Sequence, residues 1–280
     1  QPMVVIGALI GAAMFYTQGC SVWDVSKVTV AALLAATLMN ALMIPATPGV
    51  EIRGVGEMYP LNGPSWSLFF EYIGNLLYAF LLRRLPTRAL AAWVALAGCG
   101  LAAFALWGPY GDICVGFALT GDNIVGGSLR LLFAFSAGLL LSRVFRPVAV
   151  RGAFWIGGLA IVAAAAVPRI GGNGLYDAFC AIVLFPLIVY IGASGRTTDR
   201  LTAHLCKFLG DISYPLYMVH YPFIYLYYAW VKNEGLTFAQ SLPGAAALVA
   251  GSVLLAYLCL KLYDEPVRRL LTRRFLPTRR

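Results

Sequence analysis

An all-α, polytopic helical membrane protein is the fold class this sequence predicts, on three observations. Only 12% of its 280 residues are charged, where a soluble domain typically carries about 25%. Hydrophobic residues make up 60% of the chain, and the mean hydropathy is +0.78. Apolar stretches recur along the whole length, separated by short polar segments. This composition excludes a disordered chain, a coiled coil, a disulfide-stapled mini-protein and a water-soluble globule. The net charge of +9 has a topological reading before any nucleic-acid one. The six cysteines are scattered, with no C-x-x-C pair, and with two histidines the chain offers no metal site.

Taken in order, the apolar stretches fall at 3–19, 27–46, 66–82, 88–107, 127–142, 153–168, 175–193, 212–231 and 245–262. They predict about nine transmembrane helices. The first follows Gln1-Pro2 with no basic segment before it, so it does not read as a signal peptide. The third opens on Pro64, whose missing N–H suits a first helical turn. The fifth and sixth are the shortest, and Ala and Gly in 153–172 suit close helix packing. The basic residues test this count. Lys27, Arg83, Arg84, Arg88, Arg143, Arg146, Arg151, Arg196, Arg200, Lys207 and seven residues from Lys261 to Arg280 share one set of alternate loops. Arg53, Arg169 and Lys232 fall in the other, which makes 17 against 3 of 21, with Arg130 embedded. By the positive-inside bias the C-terminus is cytoplasmic, and loops 47–65, 108–126, 169–174 and 232–244 face outward. That parity leaves Gln1 outside. It predicts that 1–280 is a single transmembrane domain, N-terminally incomplete.

Polar residues inside apolar stretches carry the functional signal, because ionisable groups there are costly. Ser67, Glu71 and Asn75 are four apart and share one helix face. Glu71 fits either a shallow headgroup position or a polar cavity. Arg130 heads the fifth stretch; it either snorkels to the interface or lines the same cavity as Glu71, where a guanidinium would hold an anion or developing oxyanion. In the eighth stretch Ser213, Tyr217 and His220 line one side, with Tyr214 beside them. His220 reads as part of an interfacial aromatic belt or as a member of a site. Asp177 is a weaker cavity candidate. Asp264 and Glu265 at the end of the last helix are expected to bind preceding basic loops.

These residues resemble the integral-membrane acyltransferases of acyltransferase family 3. Asn62-Gly63-Pro64-Ser65-Trp66-Ser67-Leu68-Phe69-Phe70-Glu71 is similar to the family's Asn-x-Pro-Leu-Trp-Ser-Leu-x-x-Glu stretch, with Ser65 for the first Leu. Leu209-Gly210 and Ile212 to Pro222 resemble its Leu-Gly-x-x-Ser-Tyr-x-Leu-Tyr-x-x-His-x-Pro stretch. Arg130 with Gly138, and Asp264-Glu265-Pro266, resemble two weaker signatures. Tyr72, Gly74 and Asn75 depart from the pattern, which fits a subgroup.

The resemblance implies about ten helices in the intact protein. It also implies an upstream helix bearing a catalytic histidine, which nothing in 1–61 matches. The implied reaction transfers an acyl group, often acetyl, from acyl-CoA to a hydroxyl of a carbohydrate or lipid-linked glycan. Acyl-CoA is then a cosubstrate rather than a bound cofactor. The implied setting is a bacterial inner membrane, with the bilayer as partner and no nucleic acid. Within this chain the resemblance assigns Glu71, Arg130 and His220 to catalysis, and Asn62, Trp66, Ser67, Asn75, Tyr214 and Tyr217 to substrate binding. A small-molecule transporter is the alternative, opposed by the lack of inverted repeats.

Overall fold

The computed structural model describes residues 2–168, 172–197 and 199–275. Arg169, Arg279 and Arg280, each part of the charge-sorting argument, lie outside them. Twelve α-helical segments and one two-residue parallel strand pair are present among the described residues. The helices divide between two compact units, residues 1–69 with 207–280 and residues 70–206.

Among the described residues, four helical runs are long and apolar enough to cross a membrane: Thr87–Trp107, Gly121–Val144, Gly174–Ala193 and Phe238–Phe275. This corrects the expectation of about nine, and with it the count of about ten. The helices at Pro2–Met14 (α1), Val30–Ala41 (α2) and Ala153–Ala166 (α6) have 13, 12 and 14 residues. At 1.5 Å per residue they reach about 20 Å, short of the roughly 30 Å hydrocarbon core. The third stretch forms Ser65–Phe80 (α3), only 16 residues and broken by polar side chains. The eighth splits at His220 into Arg200–Val219 (α9) and Tyr221–Asn233 (α10), with Pro215 and Pro222 on either side of the break. Apolar sequence had counted loop and helix alike.

In the first unit α1 packs against α2, α10 and the helical turn at Leu260–Asp264. Thr29 caps α2 by accepting from the Ala32 N–H at 3.2 Å. Beneath lies a core of Phe15, Val25, Leu33, Ala36, Ile52 and Leu61. Gly7 and Gly11, four apart on α1, let that helix approach backbone. A Cβ at Gly7 would lie 2.4 Å from the Met218 carbonyl oxygen, and one at Gly11 2.3 Å from that of Leu61. Phe238–Cys259 (α11) starts on a capping box of Thr237 and Gln240. After the turn at Leu260–Asp264 it continues as the basic helix Glu265–Phe275 (α12).

In the second unit Thr87–Trp107 (α4) packs along Gly121–Val144 (α5), burying Ala97, Leu101 and Phe133. The strands Val150–Arg151 (β1) and Gly195–Arg196 (β2) pair in parallel. Gly174–Phe179 (α7) and Phe185–Ala193 (α8) are joined through a π turn at Cys180–Leu184. The cause is Pro186. It lacks an N–H, and its ring would strike the carbonyl four residues back, so the helix widens one turn earlier. The Phe185 N–H accordingly bonds to the Cys180 carbonyl, five residues back. The same device precedes Pro266, where the Glu265 N–H reaches the Leu260 carbonyl.

Candidate functional site

The two motif stretches that the sequence presents about 150 residues apart interlock in the first unit. Asn62 is fully buried and donates from Nδ2 to the Met218 carbonyl at 2.8 Å. The Ser67 and Tyr217 hydroxyls lie 2.6 Å apart, and each sits 3.1 Å from the Pro64 carbonyl oxygen. Gly63 is needed beside them, since a Cβ there would meet the Tyr221 ring at 2.7 Å. Asn62, Ser67 and Tyr217 therefore join the first turn of α3 to the end of α9. Trp66 is half-buried and Tyr214 exposed.

His220 sits at the α9–α10 break, half-buried. Its Nδ1 lies 3.0 Å from the carbonyl oxygens of both Leu216 and Tyr217. Carbonyls only accept, so Nδ1 carries a proton, and in the neutral tautomer the lone pair is on Nε2. The two carbonyls hold the ring in a fixed orientation.

The sequence reading missed a buried polar cluster on the same unit. Arg53, placed there in an outward loop, is only 3% exposed. Its guanidinium carbon lies 3.5 Å from the centroid of the Tyr225 ring, with Phe15 and Trp23 at 5.2 and 5.5 Å. Nε donates to the Pro60 carbonyl and Nη2 to Oε1 of the fully buried Gln18. Gln18 in turn donates to the Pro222 carbonyl at 2.8 Å. The Tyr225 hydroxyl donates to the Glu57 carboxylate. Burial pushes the Arg53 guanidinium below and the Glu57 carboxyl above their ordinary ranges; the Tyr225 hydrogen bond and the Arg53 charge draw Glu57 back down. Glu51 closes the turn, accepting from the backbone N–H groups of Arg53 and Gly54 at 3.0 and 2.7 Å. One signal was available in the sequence. Arg53 was one of three basic residues that ran against the charge bias, and such a residue has a reason other than topology.

The second unit holds Glu71, Asn75, Arg130 and Asp177. Glu71 and Asn75 are exposed or nearly so, and Asn75 Nδ2 donates to the Glu71 backbone carbonyl at 2.9 Å. Arg130 is half-buried and donates to the Val115 carbonyl at 2.7 Å. It stands at the end of a cavity of about 300 Å³ between α4, α5 and α8, whose other lining residues are all apolar. Glu71 is not among that lining. Asp177 accepts from the Ile113 N–H at 3.4 Å, bracing the loop after α4. Asp264 and Glu265 pair with Arg268 at 2.8 Å and with Lys261 and Arg269, all one turn away on their own helix rather than on preceding loops.

A family model for an acyltransferase domain matches residues 3–261, nearly the whole chain. The chain belongs to acyltransferase family 3. Neither curated proteins nor solved structures yield a match.

Proposed function

We propose that this chain transfers an acyl group from acyl-CoA to a hydroxyl of a carbohydrate or related membrane-associated acceptor. The observation that carries the reading is the acyltransferase-domain match across residues 3–261. The acceptor oxygen bonds to the thioester carbon, the C–S bond breaks, and the hydroxyl proton finally reaches the CoA thiolate. Within the first unit, His220 Nε2 is the proton acceptor, a role supported by the two carbonyls that fix its tautomer. Asn62, Ser67 and Tyr217 position the turn that opens α3 and hold α9, while Trp66 and Tyr214 contact the acceptor. Within the second unit, Arg130 offers a guanidinium to an anionic group, and Glu71 and Asn75 offer a polar face to an acceptor.

The protein is read as a multi-pass component of a bacterial inner membrane with the basic helix α12 on the cytoplasmic side. That placement is supported by Arg268, Arg269, Arg273 and Arg274, clustered at the end of an apolar run. Membranes carrying the protein, supplied with acyl-CoA labelled in the acyl carbon, should move label into a glycan fraction. Arg130→Ala and His220→Ala should each lower transfer at least about tenfold while the protein still inserts. Wild-type rates in both variants would overturn the assigned roles, and no label transfer in wild-type membranes would overturn the activity.

A further inference from the structure

A cavity of about 310 Å³ lies at the Arg-rich end of the second unit, between the first turn of α6, strand β2 and the start of α9. The parallel strand pair sets Arg151 opposite Arg196, so two loops distant in sequence bring their cations to one corner. Gly195 lets β2 close on α6, because a Cβ there would meet the Ala153 Cβ at 2.8 Å. The lining of this cavity is mixed, unlike that at Arg130. Arg196 and Asp199 bring one charge of each sign, Thr197 adds a hydroxyl, and Phe154 and Trp155 supply an aromatic wall. The two charges are not spent on each other. Asp199 caps α9 by accepting from the Thr202 N–H at 2.7 Å, and the Arg196 side chain has no hydrogen bond or ion pair among the described residues. The Thr202 hydrogen bonds hold the Asp199 carboxyl below its ordinary range, so it is ionised at neutral pH. Next to Gly195, Ser194 is 3% exposed, and its hydroxyl finds no partner among the described residues. Polar capacity at this corner exceeds what the chain itself uses.

The apolar side of the cavity continues along α6. Trp155, Leu159 and Val162 are exposed and fall at i, i+4 and i+7, so they form one stripe leading away from the charges. A basic pocket at the head of a lipid-facing stripe is the layout that receives a phospholipid head group. The carboxylate narrows the choice. We propose that the cavity binds the head group of a primary-amine, zwitterionic phospholipid, a phosphatidylethanolamine, with its acyl chains along Trp155, Leu159 and Val162. Arg196 and the Thr197 hydroxyl take the phosphate, and Asp199 takes the ammonium. An anionic phospholipid would satisfy Arg196 alone and bring negative charge against Asp199. A choline head group carries the positive charge but has no N–H to donate to the carboxylate. At roughly 30 Å³ for each small unit, about 310 Å³ accommodates on the order of ten, enough for a phosphoethanolamine group. The head group then lies in the leaflet that the positive-inside bias assigns to Arg143, Arg146 and Arg151, and the bound lipid moors the strand pair at the membrane surface. None of these residues is among those assigned to acyl transfer, and the proposal does not rest on that reading.

The test is native mass spectrometry of the delipidated, detergent-solubilised full chain, titrated with phosphatidylethanolamine, phosphatidylcholine and phosphatidylglycerol of identical acyl chains. Wild type should bind the first phosphatidylethanolamine at least about threefold more tightly than either other lipid, the scale of one exposed ion pair. Asp199→Asn keeps a capping side chain for Thr202 but loses the charge, and it should erase the preference over phosphatidylglycerol. Arg196→Gln should weaken phosphatidylethanolamine binding by about threefold or more. Each variant's unfolding midpoint without lipid reports its folding, and the wild-type preference is measured independently of both. Equal affinity for the three lipids, tighter binding of phosphatidylglycerol, or an unchanged lipid profile in both variants overturns the site. Binding of soluble glycerophosphoethanolamine as tightly as the lipid overturns the lipid assignment in favour of a soluble phosphoethanolamine ligand.

Discussion

Replacing Gly7 by alanine adds one methyl group where α1 crosses the motif region of the first unit. The new Cβ would sit 2.4 Å from the Met218 carbonyl oxygen and 2.8 Å from Asn62 Nδ2, against an ordinary contact of 3.4 Å or more. The first obstacle is backbone and cannot swing away, so α1 must retreat by about 1 Å or Met218 must move. Overpacking of this kind costs about 1–3 kcal/mol. Either movement also stretches the 2.8 Å bond from Asn62 to Met218. Asn62 is fully buried, and its Oδ1 already lacks a partner, so losing the Nδ2 bond adds about 1–3 kcal/mol. The sum is about 2–6 kcal/mol, a large share of the stability of a typical domain. Thermal unfolding of the detergent-solubilised protein measures it, with Gly251→Ala as the matched control. Gly251 lies within α11, and a methyl group there would meet no atom within 4 Å. That variant should be as stable as wild type or slightly more so. Equal unfolding midpoints for Gly7→Ala and Gly251→Ala would refute the close-approach argument.

Arg53→Met should destabilise the first unit by about 3–5 kcal/mol, because Gln18, Pro60 and Glu57 lose a buried cation that no methyl group replaces. Arg53→Lys should recover only part of this in the same melt, since an ammonium cannot stack on Tyr225 and reach both acceptors. Burial raises the folded pKa of Glu57 above its ordinary value near 4.3. Its contribution to stability is therefore full below that value and is lost as pH rises through the raised folded value. A pH series of melting midpoints should show that loss in the wild type and its absence in Glu57→Gln; parallel curves would contradict it. Tyr217→Phe removes the 2.6 Å contact with Ser67 and should cost about 0.5–1.5 kcal/mol in the same melt, because Ser67 keeps the Pro64 carbonyl as a partner.

The long apolar helices α4 and α5, the run from Gly174 to Ala193 and the last helix were legible because their hydrophobic character extends over 20 residues or more. The short ones were overcounted for a physical reason. Apolar residues in 3–19 and 27–46 bury against each other and against loops, and burial inside a protein selects the same side chains as burial in lipid. Glu71, Ser67 and Asn75 were rightly placed on one helical face, yet their surroundings depend on partners distant in sequence, which periodicity does not encode. Ser67 meets Tyr217, whereas Asn75 meets the backbone of its own helix. Arg53 was hidden by the assumption that a charged loop between apolar stretches faces water. What buries it is a cage assembled from separate segments, around Phe15, Gln18, Pro60 and Tyr225.

The two π turns have a geometric effect on everything that follows them. One extra residue in a helical turn rotates the remaining side chains by about 100° about the axis. At Leu260–Asp264 this re-aims α12 relative to α11, so the azimuth of the basic face is set by Pro266 and not by the apolar run before it. Charge direction and membrane insertion are thereby uncoupled within one 38-residue helix. Removing a single residue from that turn, together with Pro266→Ala, would restore an unbroken α-helical register. It would swing Arg268, Arg269, Arg273 and Arg274 a quarter-turn around while leaving the span ahead of them intact.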